Sequence, residues 1–291
     1  MNRLFCFGLG FTSQTLAHRL NPANWSVAGS CRTPASAVSL SGGGIDPYVF
    51  DGARPMENAR EALEKTTHLL ISIPPDQDGD KVLRYHMAHV AVQAEGLEWI
   101  GYLSTIGVYG DHGGAWIDEE APVQPVSGRG KARVLAETQW LEFGVKTGIP
   151  VHVFRLPGIY GPGRNALESL KKGKTRRIYK KDQVFNRIHV DDLAQTLEAS
   201  MQKPNAGQIY NVVDDEPAPP QDVTAFAARL LGVEPPPLVS LDEAGLSPMA
   251  RSFYEECKRV HNQRIKAELG ISLVYPDYRA GLRSLYNNST R

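Results

Sequence analysis

The stretch RLFCFGLGFTSQTLAHRL, residues 3–20, changes its period half-way, and that change limits the folds open to the chain. An apolar run of strand length enters a glycine turn, and the segment after it repeats apolar residues at helical spacing. A strand, a tight turn and a helix therefore open the chain.

The same alternation continues. NWSVAGSCR, PYVFD, THLLISIPP, LEWIGYLST and PVHVFRL read as further strands, and MENAREALEK, DKVLRYHMAHVAVQAEG and RGKARVLAETQWLEFGVKTG as helices among them. Near-continuous apolar strands separated by amphipathic helices predict an α/β chain, a doubly wound parallel-sheet Rossmann fold covered on both faces. Beyond PVHVFRL the alternation breaks. A glycine- and proline-rich loop, PGIYGPGRN, leads to a short basic helix, a small hairpin around residues 180–183, the helix VDDLAQTLEASMQ and the strand GQIYNVVD. The expected division is a dinucleotide-binding domain of residues 1–158 and 187–213, with residues 159–186 and 214–291 as a small C-terminal substrate lobe.

With 291 residues and 32 charges of each sign, the chain has no overall field favouring nucleic acid or an anionic membrane. No apolar run nears the ~20 residues of a membrane span, and the start lacks the pattern of a secretory leader. Three scattered cysteines suit neither a disulfide framework nor a zinc site. The expectation is a cytoplasmic protein with a small-molecule substrate, without metal, nucleic acid or membrane.

GLGFTS has two of the three glycines of a dinucleotide fingerprint. Gly8 permits the tight turn, Gly10 lets the backbone approach a pyrophosphate, and small Ser13 stands at the helix-packing position. Phe11 and Thr12 lie in the same turn, Ser72 ends the fourth strand and Leu156 the sixth, so all four join the expected cofactor-binding set. GSCRT ends the second strand with Arg32 and no neighbouring acid, which favours NADP, with NAD as the alternative. Asp51, ending the third strand, either approaches the adenine or caps the helix after GARP.

YLSTIGVYGD, RLPGIYGPGR, RIHVDDLA and YNVVDDEP, in that order, resemble the extended short-chain dehydrogenase/reductase superfamily, the sugar-nucleotide epimerases and dehydratases. GVYGDHGGAWIDE, SGRGKARVLAE and RRIYKKDQVFNRIHVDDLA look more narrowly like the YeeZ-like subgroup, whose epimerase label rests on fold analogy. The resemblance implies a hydride-transferring oxidoreductase acting on a nucleotide-sugar or related substrate. Its members often form a homodimer through the two long helices.

In the resembled family a serine or threonine polarises the substrate, a tyrosine exchanges the proton and a lysine holds the nicotinamide ribose. The matching positions are Thr105, Ser127 and Lys131, so serine stands where tyrosine is expected. An alkyl hydroxyl lacks the acidity of a phenol near pKa ~10, and another group must then move the proton. Tyr109 and Tyr160 are the first candidates, followed by His112 and Lys131. Without a proton carrier the chain is a cofactor-binding sensor or scaffold, which is the alternative reading.

KKGKTRRIYKK, residues 171–181, carries seven positive charges, and Arg176 and Arg177 are its better phosphate clamps. Arg164 in the GPGR loop joins them as a substrate-binding candidate. His189 and Asp191 are expected to fix a helix start.

Overall fold

The computed structural model describes residues 1–173 and 175–289. Its central feature is one parallel sheet of seven strands: β1 (Asn2–Phe7), β2 (Trp25–Cys31), β3 (Ile45–Val49), β4 (His68–Ile71), β5 (Trp99–Thr105), β6 (Val151–Leu156) and β7 (Ile209–Asn211). They lie in the order β3-β2-β1-β4-β5-β6-β7. Every neighbouring pair is parallel.

The helices are α1 (Phe11–Arg19), α2 (Pro34–Leu40), α3 (Ala59–Leu63), α4 (Lys81–Val92), α5 (Gly128–Thr147), α6 (Ala166–Lys171), α7 (Val190–Gln202), α8 (Pro220–Leu231), α9 (Pro248–Ser252), α10 (Gln263–Leu269) and α11 (Tyr278–Ser289). Alternate side chains of a strand leave opposite faces of a sheet, which explains how one apolar run serves two cores. Leu4 and Cys6 of β1 join Leu16 of α1 and Leu193 and Leu197 of α7. Phe5 and Phe7 join Leu83 of α4 and Trp140 and Phe143 of α5 on the other face. The sheet is therefore buried on both sides, as a Rossmann fold requires.

Successive strands run from β1 towards β3 on one side and from β4 onward on the other. A crevice opens where the order reverses, at the carboxyl ends of β1 and β4.

The remaining strands form three short parallel pairs. Gly158–Tyr160 pairs with Arg187–His189, Arg177–Tyr179 with Leu238–Ser240, and Trp116–Ile117 with Arg259–Val260. The second pair corrects the expected hairpin. Residues 180–183 do turn, with Gln183 N–H donating to Lys180 O and Asp182 at φ 60°, but the preceding strand takes a distant parallel partner. Helices α6, α8 and α11 bury Leu167, Phe226 and Leu282 together beside this region. Among the described residues no helix is long and apolar enough to cross a membrane.

One buried histidine gives the fold a readable pH response. His152 of β6 is fully buried, its Nε2 accepts Asn205 N–H at 2.8 Å, and its Nδ1 meets Ser200 Oγ at 2.6 Å. Burial pushes its pKa down to about 4. An unfolded imidazole takes up a proton below about pH 6.5, whereas the folded ring resists until about 4. The neutral ring's contribution is thus complete above the upper value and lost as pH falls towards the lower. Urea unfolding of the wild type and a His152→Asn variant should show a stability advantage that shrinks across this window as the solution is acidified. An advantage independent of pH would contradict it.

Candidate functional site

The crevice is organised by one carbonyl. Gly8 follows β1 at φ 103°, and a Cβ there would come within 2.5 Å of Ser72 Oγ and 2.8 Å of Ile73 Cγ2. Only glycine fits that conformation and that space. Ser72 Oγ and Ser13 Oγ both donate to Gly8 O at 2.7 Å, while Gly8 N–H donates to Ser30 Oγ at 3.0 Å and Leu9 N–H to Ser30 O at 2.7 Å. The turn is thereby tied to β2, α1 and the end of β4.

Gly10 is the N-cap of α1 and provides no side-chain cap. A Cβ on it would meet nothing within 4 Å. Phe11, Thr12 and Ser13, the first residues of α1, line the inner cavity, so the positive end of the helix dipole lies at it. Such a terminus suits a pyrophosphate.

Two cavities meet at Gly10 and Ser72. The outer one, about 670 Å³, is lined by Gly8, Arg32, Ser36, Ser39, Asp51 and Lys81 among others. Arg32 is exposed there. Asp51 lines the cavity and its Oδ1 accepts Ala53 N–H at 2.8 Å, but it does not cap the next helix, whose N-cap is Asn58. Lys81 was not anticipated from the sequence; it opens α4 behind the buried cap Asp80.

The inner cavity, about 240 Å³, gathers Phe11, Thr12, Ser72, Thr105, Leu156 and Arg164 from the expected set. It also contains Ser104 and Arg133, which the expected set lacked. Thr105 Oγ1 accepts Gly107 N–H at 3.1 Å, which fixes the turn leaving β5. Ser104 Oγ donates to Glu137 Oε1 at 2.5 Å, and Glu137 pairs with Arg155 at 2.9 Å in a nearly dry ion pair behind the cavity wall.

Lys131 requires correction. Its side chain is exposed and is not among the residues lining either cavity. The buried face of α5 carries Gly130, Ala136, Glu137 and Trp140, and helical phase brings position 133 to the cleft while 131 turns outward. Reading that phase backwards from Trp140 would have selected Arg133. Ser127 proves to be the N-cap of α5, its Oγ accepting Gly130 N–H at 3.0 Å.

The alternative proton carriers are also placed elsewhere. Tyr109 is fully buried, donates to Asn211 Oδ1 at 2.8 Å and lies under the Arg155 guanidinium, 4.7 Å from its ring centroid. Tyr160 is packed against Gly281. Burial raises the pKa of both phenols, making them poorer acids still. His112 Nε2 lies 3.2 Å from Tyr109 O.

Arg176 sits beside Gly245 and Arg177 within its short strand, and neither lines the two cavities. Lys174 of the same basic run falls outside the described residues. His189 Nδ1 accepts Asp191 N–H at 3.2 Å and caps α7, the arrangement expected at that helix start.

The profile of the NAD dependent epimerase/dehydratase family matches residues 82–213. Protein YeeZ of Escherichia coli (strain K12) is 30% identical over 287 residues, spanning 95% of this chain and 97% of YeeZ. The chain belongs to the NAD-dependent epimerase/dehydratase family.

Solved structures of similar shape include a functionally unknown conserved protein from Silicibacter pomeroyi, 48% identical, with a TM-score of 0.90 and full coverage of both chains. MoeE5 in complex with UDP-glucose and NAD is 19% identical with a TM-score of 0.76, covering 100% of this chain and 99% of its own. The dTDP-glucose 4,6-dehydratase of Bacillus anthracis in complex with NAD is 16% identical with a TM-score of 0.75, covering 100% and 96%. At such identities the last two show the family's fold alone.

Two substitutions separate frame from site in this epimerase/dehydratase family member. Gly8→Ala should cost more than about 1 kcal/mol in urea unfolding, because a side chain is placed at positive φ against Ser72. Ser127→Ala should cost about 1 kcal/mol as a lost helix cap and leave any affinity for a nicotinamide coenzyme, measured by calorimetry, unchanged. A large loss of affinity in the second variant would restore Ser127 to the site.

Proposed function

We propose that the chain is an NADP-dependent oxidoreductase acting by hydride transfer on a nucleotide-sugar or related carbonyl or alcohol substrate, without the family's tyrosine. The carrying observation is the continuous cleft in which Gly8, the uncapped start of α1 and Thr105 stand along one crevice.

These residues fit the dinucleotide. Gly10 leaves the space a pyrophosphate needs, and the first N–H groups of α1 supply its donors. Arg32, with Ser36 and Ser39 beside it, suits the 2′-phosphate of the adenosine ribose. When bound, the nicotinamide supplies the place where hydride is given or taken. The Thr105 hydroxyl then orients the reacting oxygen of the substrate.

Among the described residues, the inner cavity is lined by no carboxylate, imidazole, phenol, amine or thiol. Nothing there titrates near neutrality, so water entering the cleft carries the proton. The same observation favours a second reading, in which the fold senses NADP(H) and hydride chemistry has been lost. Steady turnover with any member of a sugar-nucleotide or aldehyde panel removes the second reading. Tight NADPH binding with no turnover on the whole panel removes the first.

Coenzyme preference has its own test. Arg32→Glu should weaken NADPH binding by about tenfold or more, the loss of a charge-assisted contact, with little change for NADH. Equal effects on both coenzymes would show that Arg32 does not meet the 2′-phosphate.

A further inference from the structure

We infer that residues 247–253 form a lid at the mouth of the cleft, hung on Ala244 and Tyr254, latched to the start of α5 by Arg129, and closing fully when substrate lies beneath it. The inference rests on the proposed use of the cleft and adds the element that covers it.

Both ends of the segment are fixed. Ala244 and Tyr254 are buried with Ile178 in one small apolar cluster, and Leu246 packs against it. Beyond Tyr254 the backbone is held firmly. Gln183 Nε2 donates to Glu256 O at 2.9 Å, Asp111 Oδ1 accepts Cys257 N–H at 2.7 Å, and Cys257 O accepts Gly114 N–H at 2.9 Å. A short span whose two ends share an anchor is a compact surface loop.

Between the anchors little holds the chain. Helix α9 occupies the tip, and none of its residues is buried. Its contacts are mostly local, with Ser247 as the N-cap, Arg251 paired with Asp242 at 2.7 Å and Ser252 Oγ donating to Met249 O at 2.8 Å. Among the described residues, one hydrogen bond ties residues 247–253 to chain outside 242–255, that from Arg129 Nη2 to Ser252 Oγ at 3.1 Å. The same guanidinium stands 4.8 Å from the Phe253 ring centroid. An exposed cation–π contact and one neutral hydrogen bond form a weak latch, which releases readily. Gly245, at φ 55°, stands where the tip leaves its anchor, and glycine passes between that conformation and the ordinary ones without steric cost. It is the natural hinge.

The latch sets the position of the tip. Arg129 lies one helical turn before Arg133, which lines the inner cavity, so the tip stands at that cavity's rim. Exposed apolar side chains flank the latch. Met249 and Phe253, on one face of the tip, are 62% and 56% exposed, and Val123 and Val126, in the loop that enters α5, are exposed as well. Closing the tip onto residues 123–129 takes this apolar surface out of water, which supplies the drive to close. The contact that Arg129 already makes with Phe253 identifies that rim as the surface the tip closes on.

Trypsin reads the lid, because Arg251 lies in it and is exposed, and cleavage of the 251–252 bond requires the segment to open locally. In the full chain without ligand, Arg129→Ala should speed that cleavage about fivefold or more, leaving other cleavage sites and the thermal midpoint unchanged. Phe253→Leu, which loses only the ring, should speed it about threefold. An unchanged rate in Arg129→Ala would overturn the latch and the lid with it, and so would faster cleavage at every site, the mark of general loosening.

The wild type is then saturated with NADPH alone and with NADPH plus UDP-glucose, binding being followed by calorimetry. NADPH alone should leave the 251–252 rate within about twofold, and UDP-glucose should slow it about fivefold or more. Arg129→Ala should abolish the slowing. Full slowing by NADPH alone would make the segment part of the coenzyme site and overturn the lid. UDP-glucose that binds without slowing cleavage would overturn the lid and leave the nucleotide-sugar reading in place. If UDP-glucose does not bind, the nucleotide-sugar reading falls, and the free-protein rate in Arg129→Ala decides the lid alone.

Discussion

A single main-chain carbonyl, that of Gly8, accepts hydrogen bonds from Ser72 at the end of β4 and from Ser13 in α1, and its own N–H is held by Ser30 of β2. The helix that follows the turn and two strands further along the chain are thus fixed around it. Because Gly8 occupies a left-handed conformation with Ser72 pressed against it, no side chain can be accommodated there. The direction of α1, the place where its N–H groups point and the mouth of the crevice all follow from that turn.

The inner end of the crevice is set by a different constraint. A nearly dry ion pair, Glu137 with Arg155, ties α5 to β6 and holds Ser104 of β5 through Glu137. Breaking one partner of such a pair strands a buried charge, which makes the arrangement rigid even if its net stabilisation is small. The rigidity fixes the phase of α5, and with it the identity of the cation that enters the cavity. Tyr109 is drawn under Arg155 by the same arrangement, so it packs the wall and does not reach the cleft.

Much of the fold was legible because strands buried on both faces must read as apolar runs, and β1, β4, β5 and β6 do. The glycine turn was legible for the same kind of reason, since backbone geometry at Gly8 and Gly10 demands particular residues. The helix phase was readable in Ala136, Glu137 and Trp140, yet the four-residue spacing from Ser127 to Lys131 pointed to the wrong cation. Arg133 belongs to the inner face and Lys131 to solvent. The tyrosines could not have been sorted by sequence, because a ring beside a glycine loop looks alike whether it packs inward or lines a cleft. At residues 180–183 the turn chemistry was visible, but the partner strand was not, since Leu238–Ser240 reaches Arg177–Tyr179 only through the tertiary fold.

A crystal structure of the protein grown with saturating NADPH tests the central claim most directly. Density for a pyrophosphate hydrogen-bonded to the N–H groups at the start of α1, with the adenosine end at Arg32 and the nicotinamide beside Thr105, is the predicted result. A coenzyme bound elsewhere, or a crevice filled by water alone at saturation, would contradict it.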